Sequence, residues 1–198
     1  MLGDELWSLH PRLRTYFSVI ADGCEGVGEG VFATVGTPRR WLHPFIRALA
    51  PSDVVFPVWE KNVPFTVINS AVVVNGKPAV AAERRFHLAG GDRVMRDLIV
   101  RTSAGLVDVL GRRRRIRVQL ETQVIEGELR MRSRRVELRI ASWHIRLFGP
   151  LAPGVELTER FSHTDGRQHV TVEIRVPLLG KVYEYEGSFA YEIRSGDR

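Results

Sequence analysis

FTVINSAVVVNGKPAVAAERRFHL, residues 65–88, is the stretch whose reading decides the fold. Two apolar-rich runs of period two flank Asn75-Gly76, the strongest two-residue turn signal for a β-hairpin. Within the second run, Val80, Ala82, Arg84, Phe86 and Leu88 share one face, because a strand sends alternate side chains to opposite sides. Arg84 stands in the middle of that apolar stripe. The same anomaly recurs downstream, where Val155, Leu157, Glu159, Phe161 and His163 form a stripe with Glu159 inside it. Removing one member of a buried ion pair costs about 3–5 kcal/mol. Inward charges of this kind are therefore paired with each other or line a polar cavity.

Period two continues outward from the hairpin. Gly90-Gly91 marks the next turn, and residues 92–101 and 106–110 alternate as strands. Ile116, Val118, Leu120 and Val124 face inward, with Arg117, Gln119, Glu121 and Gln123 outward. Val136, Leu138 and Ile140 continue on even numbers, whereas Trp143, Ile145 and Leu147 lie on odd ones. That change of phase predicts a bulge or bend near Ala141-Ser142. A loop follows at 149–154; Val170 to Val176 alternates next, Pro177-Leu178-Leu179-Gly180 turns, and Tyr183, Tyr185, Phe189, Tyr191 and Ile193 finish the pattern. Eight to ten antiparallel strands at regular spacing predict a mainly β fold, an antiparallel β-barrel of the lipocalin-like calyx type.

Residues 1–50 read differently. Leu9, Leu13, Tyr16, Phe17 and Ile20 follow helical spacing after Ser8, a candidate N-cap, with Pro11 in the first turn. Thr37-Pro38 begins a second helical pattern through Trp41, Leu42, Phe45, Ile46 and Leu49, and Pro44 predicts a kink there or two short helices. Between them, residues 28–36 read as a strand. The expectation is one domain over 1–198, with one or two short helices in 1–50 packing on or capping the barrel.

Composition narrows the class. The chain has 198 residues, 44% hydrophobic and 26% charged, which is ordinary globular usage. No leader is recognisable, and no stretch approaches the roughly 18 apolar residues of a membrane span, so a cytoplasmic protein is expected. Cys24 is the single cysteine, which excludes an internal disulfide and argues against a thiolate metal site. The net charge of +6 rests almost wholly on arginine, since Lys61, Lys77 and Lys181 are the only lysines. A basic balance permits nucleic acid or an anionic surface as partner. Arg115, Arg117, Arg139 and Arg175 nevertheless alternate with apolar residues, as on a solvated sheet face.

Leu9-His10-Pro11, the spaced glycines Gly26, Gly28 and Gly30, Arg84-Arg85-Phe86, Leu151-Ala152-Pro153, Asp165-Gly166-Arg167, residues 177–180 (PLLG) and Tyr185-Glu186-Gly187 recur together in one family. By these motifs the chain resembles an uncharacterised bacterial domain family that also occurs fused behind saccharopine-dehydrogenase-like reductases. Family members usually carry a tryptophan two residues before the arginine, where this chain has Ala82; its loss implies extra space beside Arg84. The resemblance implies no established activity.

The candidate chemistry centres on Arg84 and Glu159, as an interior ion pair or as an anchor for a carbonyl or enolate. A structural pair that fixes strand register is the alternative. Tyr183, Tyr185 and Tyr191 share the inward face of the last strand, and Tyr185 is the best placed to donate to a ligand. His163, at a strand end, is a candidate general acid or base. Trp59, Glu60 and Trp143 are candidates for an entrance, and Phe86 and Phe161 for ligand contact. Gly26-Val27-Gly28-Glu29-Gly30 lacks both the spacing and the following helix of a dinucleotide fingerprint. The six histidines show no tight metal-ligand spacing, and no nucleophile elbow or phosphate loop is present. No cofactor and no metal ion are expected.

Three functions compete. The first is a cofactor-free enzyme holding a lipophilic, polyketide-like metabolite in a barrel for cyclisation or isomerisation, with Arg84, Glu159, Tyr185 and His163 as its catalytic residues. The second is a non-catalytic lipid or metabolite carrier; on either reading a monomer or homodimer is expected. The third is a nucleic-acid or anionic-surface binder through Arg112 to Arg115, a basic run after Gly111 that also reads as a solvated hairpin tip.

Overall fold

The computed structural model describes residues 2–49, 53–103, 105–111, 113–140 and 143–195. Eleven described strands run along the chain: β1 (Cys24–Gly36), β2 (Trp59–Val74), β3 (Lys77–Leu88), β4 (Gly91–Thr102), β5 (Gly105–Leu110), β6 (Ile116–Ile125), β7 (Glu128–Ile140), β8 (Trp143–Arg146), β9 (Gly154–Ser162), β10 (Arg167–Val176) and β11 (Gly180–Ser195). They pair in the order β6-β5-β4-β3-β2-β1-β11-β10-β9-β7, and β7 meets β6 to close the ring. The first part of β7 pairs with β9 and its last part with β8, so β8 hangs outside a ring of the ten other strands. The mainly β, calyx-like barrel expected from the alternation is thus the fold. Closure removes the unpaired edges that an open antiparallel sheet would expose.

The 65–88 hairpin has the register its turn dictates, from Val74 opposite Lys77 to Phe65 opposite Phe86. Asn75 and Gly76 both take positive φ, 50° and 74°, as a hairpin turn of this hand requires. One phase change escaped the sequence. In β7, Gln119 faces Arg135 but Leu120 faces Ser133, so Arg134 is an extra residue. The bulge puts Leu129 and Met131 inside on odd numbers and Val136 inside on an even one. The bend expected at Ala141-Ser142 lies outside the described residues.

Each barrel end is covered by a connecting segment. A 3-10 turn over Gly3–Ser8 leads into α1 (Pro11–Phe17), which packs on β9 and β11 and buries Leu13, Tyr16 and Phe17. The N-cap is His10 and not Ser8: Nδ1 of His10 accepts from the Arg12 amide at 3.3 Å, and Ser8 belongs to the preceding turn. His10 also donates its backbone N–H to Gly127 O at 3.0 Å and stacks on Phe161 with centroids 4.5 Å apart. At the opposite end a 3-10 turn, Arg40–Leu42, passes into α2 (His43–Leu49), the two short helical pieces that Pro44 predicted. The chain from 53 to 58 then tucks Val54 and Phe56 inward.

The interior is uneven. On the β1–β3 side, Phe32 stacks on Phe65 at 3.8 Å and on Phe86 at 5.3 Å, with Phe56, Tyr185 and Phe189 edge-on around them. Glycines leave room for these rings: a Cβ on Gly187 would lie 2.9 Å from Phe32 Cδ1, and one on Gly28 would lie 3.0 Å from Phe189 Cδ2. The outer wall carries paired charges instead: Arg96 with Glu83 at 2.7 Å, Arg134 with Glu121 at 2.7 Å, and Lys181 between Glu173 and Glu184. Pairs of this exposed kind add little stability.

Candidate functional site

The β4–β11 side of the barrel does not fill its share of the interior. A cavity of about 90 Å³ remains there, lined mostly by apolar side chains such as Met131 and Leu157. Its polar lining comes from six elements: Tyr16 of α1, Arg84 of β3, Asp97 of β4, Asp108 of β5, Glu159 of β9 and Tyr185 of β11. Room for one water needs roughly 10–15 Å³ on this measure, so the space admits several waters or a short aliphatic molecule.

Strand register explains the meeting of charges. Arg84 faces Met95 across β3–β4, which makes Asp97 its diagonal neighbour on the inner face. The guanidinium Nη1 donates to Asp97 Oδ1, and the two side chains are 15% and 1% exposed. The interior ion pair expected of Arg84 therefore exists, but with Asp97 and not with Glu159. Glu159 faces Val170, so Gln168 is its diagonal neighbour, and Gln168 Nε2 donates to Glu159 Oε2. Asp97 faces Leu110 across β4–β5, which puts Asp108 one diagonal step further round the ring.

Burial dominates the electrostatics here. It pushes the Glu159 carboxyl up to about 7, against the opposing pull of the Gln168 hydrogen bond and the Arg84 charge. Burial and then the neighbouring Asp97 raise Asp108 well above the usual carboxylate range. Asp97 is raised by burial and drawn back by Arg84. Burial works to lower Arg84, but Asp97, Tyr16 and Tyr185 together hold it above its ordinary value. Tyr16 and Tyr185 are raised by burial and stay protonated. Two carboxyl oxygens, Asp97 Oδ2 and Asp108 Oδ1, are shut off from solvent without a hydrogen-bond partner among the described residues. Each such group carries a desolvation cost of about 1–3 kcal/mol unless something fills its acceptor site.

The other sequence candidates divide. Tyr183 lines the cavity, with its hydroxyl accepting from the Phe56 amide at 3.3 Å. Tyr191 packs edge-on against Tyr16 and accepts from Asn69 Nδ2 at 3.3 Å. Phe86 belongs to the aromatic packing described above. Phe161 and His163 sit beside His10 at the barrel end, and His163 is exposed rather than inward, because β9 stops at Ser162. Trp59 and Trp143 are 39% and 75% exposed, and Trp143 lies on β8, outside the ring. Glu60 accepts from the Ala89 amide at 2.8 Å. Of the basic run, Arg112 lies outside the described residues, and Arg113, Arg114 and Arg115 are exposed in the β5–β6 connection.

Asp97, Asp108, Tyr16 and Gln168 were missed. The signal for the two aspartates was present, since Met95-Asp97-Ile99 and Leu106-Asp108-Leu110 are inward stripes of the kind that exposed Arg84. Apolar residues on both faces of β4, such as Leu98 and Val100, hid its phase. Among the described residues no group of three or more His, Cys, Asp or Glu is arranged to hold a metal ion. No described helix is long and apolar enough to cross a membrane.

A family model described as a domain of unknown function (DUF4166) matches residues 9–189, nearly the whole chain. No curated protein and no solved structure matches it.

Proposed function

The chain belongs to the DUF4166 family, and from its interior we propose a cofactor-free enzyme acting by proton transfer on a small lipophilic molecule, in a cyclisation or isomerisation. The observation that carries this reading is the interior cavity where Glu159, Asp108 and the Arg84–Asp97 pair converge among apolar side chains. A general acid–base group works best with a pKa near the operating pH, and burial brings Glu159 to about 7. Arg84 supplies fixed positive charge where an enolate would develop, and Tyr185 supplies a neutral hydroxyl. The apolar lining holds the substrate in a reactive shape.

Typical ligand pockets measure about 300–1,000 Å³, so the cavity of about 90 Å³ suits the reacting end of a polyketide-like chain rather than its whole length. In this reading α1 moves to admit the substrate, since Tyr16 and Phe17 form part of the lining. A reductase fused in front of related barrels, of the saccharopine-dehydrogenase-like kind, would deliver a reduced metabolite to such a site.

Native mass spectrometry of the protein from its producing host tests the proposal. A co-purifying lipophilic mass is expected, and a clean apo mass together with an unchanged Tm across a lipophile panel would sink it. Enclosure at both ends favours a second reading, a carrier that sequesters the same ligand. Glu159→Gln separates the two: lost turnover with retained binding marks the enzyme, and retained binding without turnover in wild type marks the carrier.

A further inference from the structure

We infer that the interior site takes a small aliphatic amine, bound as its ammonium between Asp97 and Asp108. This rests on the reading of the cavity as a ligand site and adds the chemistry of the ligand's head. The cavity holds three carboxyl groups and a single guanidinium. Arg84 is already engaged by Asp97 Oδ1, and its charge also acts on the Tyr16 hydroxyl. The oxygens left over are Asp97 Oδ2 and Asp108 Oδ1, which have no partner among the described residues and are both acceptors once Asp108 has given up its proton. They sit one diagonal step apart across β4–β5, and the Asp97 side chain is only 1% exposed. An ammonium offers three N–H donors on a compact charge, enough for both oxygens. A carboxylate head would instead meet Asp97, Asp108 and Glu159 and would have to displace Asp97 from Arg84. An alcohol can bridge Asp97 and a protonated Asp108, but it brings no positive charge to the three carboxyl groups.

Charge balance follows the same geometry. Asp108 faces Asp97 on β4, Arg84 on β3 and Tyr185 on β11, and it holds its proton because burial and Asp97 disfavour a second interior anion. An ammonium placed between the aspartates removes that obstacle. One cation enters and one proton leaves Asp108, so the net interior charge is unchanged.

The test is calorimetric titration of the full chain with n-butylamine, n-butanol and butyrate at pH 7. Butylamine is expected to bind at least tenfold tighter than either of the others and to release protons to the buffer. Asp108→Asn is expected to abolish that preference and the proton release; should the variant not fold, the order of the three probes on wild type decides alone. Tighter butyrate binding, or equal binding of amine and alcohol, overturns the inference. If no probe binds while a lipophilic mass still co-purifies, the amine head is wrong and the ligand-binding barrel stands. If no probe binds and the mass is apo, both fall.

Discussion

The two sides of the barrel interior solve the same problem in different ways. On the β1–β3 side, glycines on β1 make room for Phe189 and Tyr191, and Phe32, Phe65 and Phe86 fill the space with stacked aromatic surface. On the β4–β11 side, aliphatic side chains leave a void, and ionisable groups occupy positions that packing alone would give to leucine. The difference separates a wall that stabilises from one that keeps room and chemistry. Desolvated acids against a void raise the free energy of the apo protein, and a fold retains such groups most readily where a ligand offsets the cost.

The largest expected effects test whether each side has its own source of stability. Phe86→Ala is expected to cost about 3–5 kcal/mol in chemical denaturation, since its ring sits among three aromatic neighbours with no route for collapse. Arg84→Met is expected to cost a comparable amount, about 3–5 kcal/mol, because it strands a buried Asp97. Adding Asp97→Leu should restore most of that loss, whereas no second polar-to-apolar change should rescue Phe86→Ala. If the Arg84 variant loses nothing, the charged side is not structurally committed.

The pH dependence is the next largest effect. Glu159 is raised from 4.5 to about 7 by burial. The folded chain therefore keeps a proton that the unfolded chain releases, and stability falls as pH rises from about 4.5 to about 7. The full difference is about 3 kcal/mol. Asp108, also raised, adds to it in the same direction. His10, lowered by burial and by the facing His163, has the opposite slope over part of this window. Denaturation of wild type and Glu159→Gln across pH 5–8 isolates Glu159, because His10 contributes equally to both; parallel curves would contradict the assignment.

The smallest effects come from one added methylene on each side. Val67→Ile is expected to cost about 1–3 kcal/mol, since Val67 is fully buried against Gly28. Val118→Ile points into the cavity and should be neutral or slightly stabilising. Equal Tm changes for the two would mean that the void closes readily and that the contrast between the sides is weak.

The sequence by itself determined the barrel and the inward faces of the strands whose alternation is clean, though not those of β4 and of β7 before its bulge. Strand periodicity is local, so the turn at Asn75-Gly76 and the stripes carrying Arg84 and Glu159 were legible without partners. The glycine run read from the sequence as lacking the spacing and the following helix of a dinucleotide fingerprint lies within β1. Only the tertiary structure decided which charges meet. Arg84 finds Asp97, and Glu159 finds Gln168, through diagonal register across neighbouring strands, and register depends on bulges, turns and closure over the whole ring. Only closure, too, showed that the chain covers both barrel ends, that Tyr16 of α1 reaches into the cavity, and that His163 and Trp143 lie away from it. A side chain's facing is set by its own backbone, but its neighbours are set by every strand that must fit into the same closed sheet.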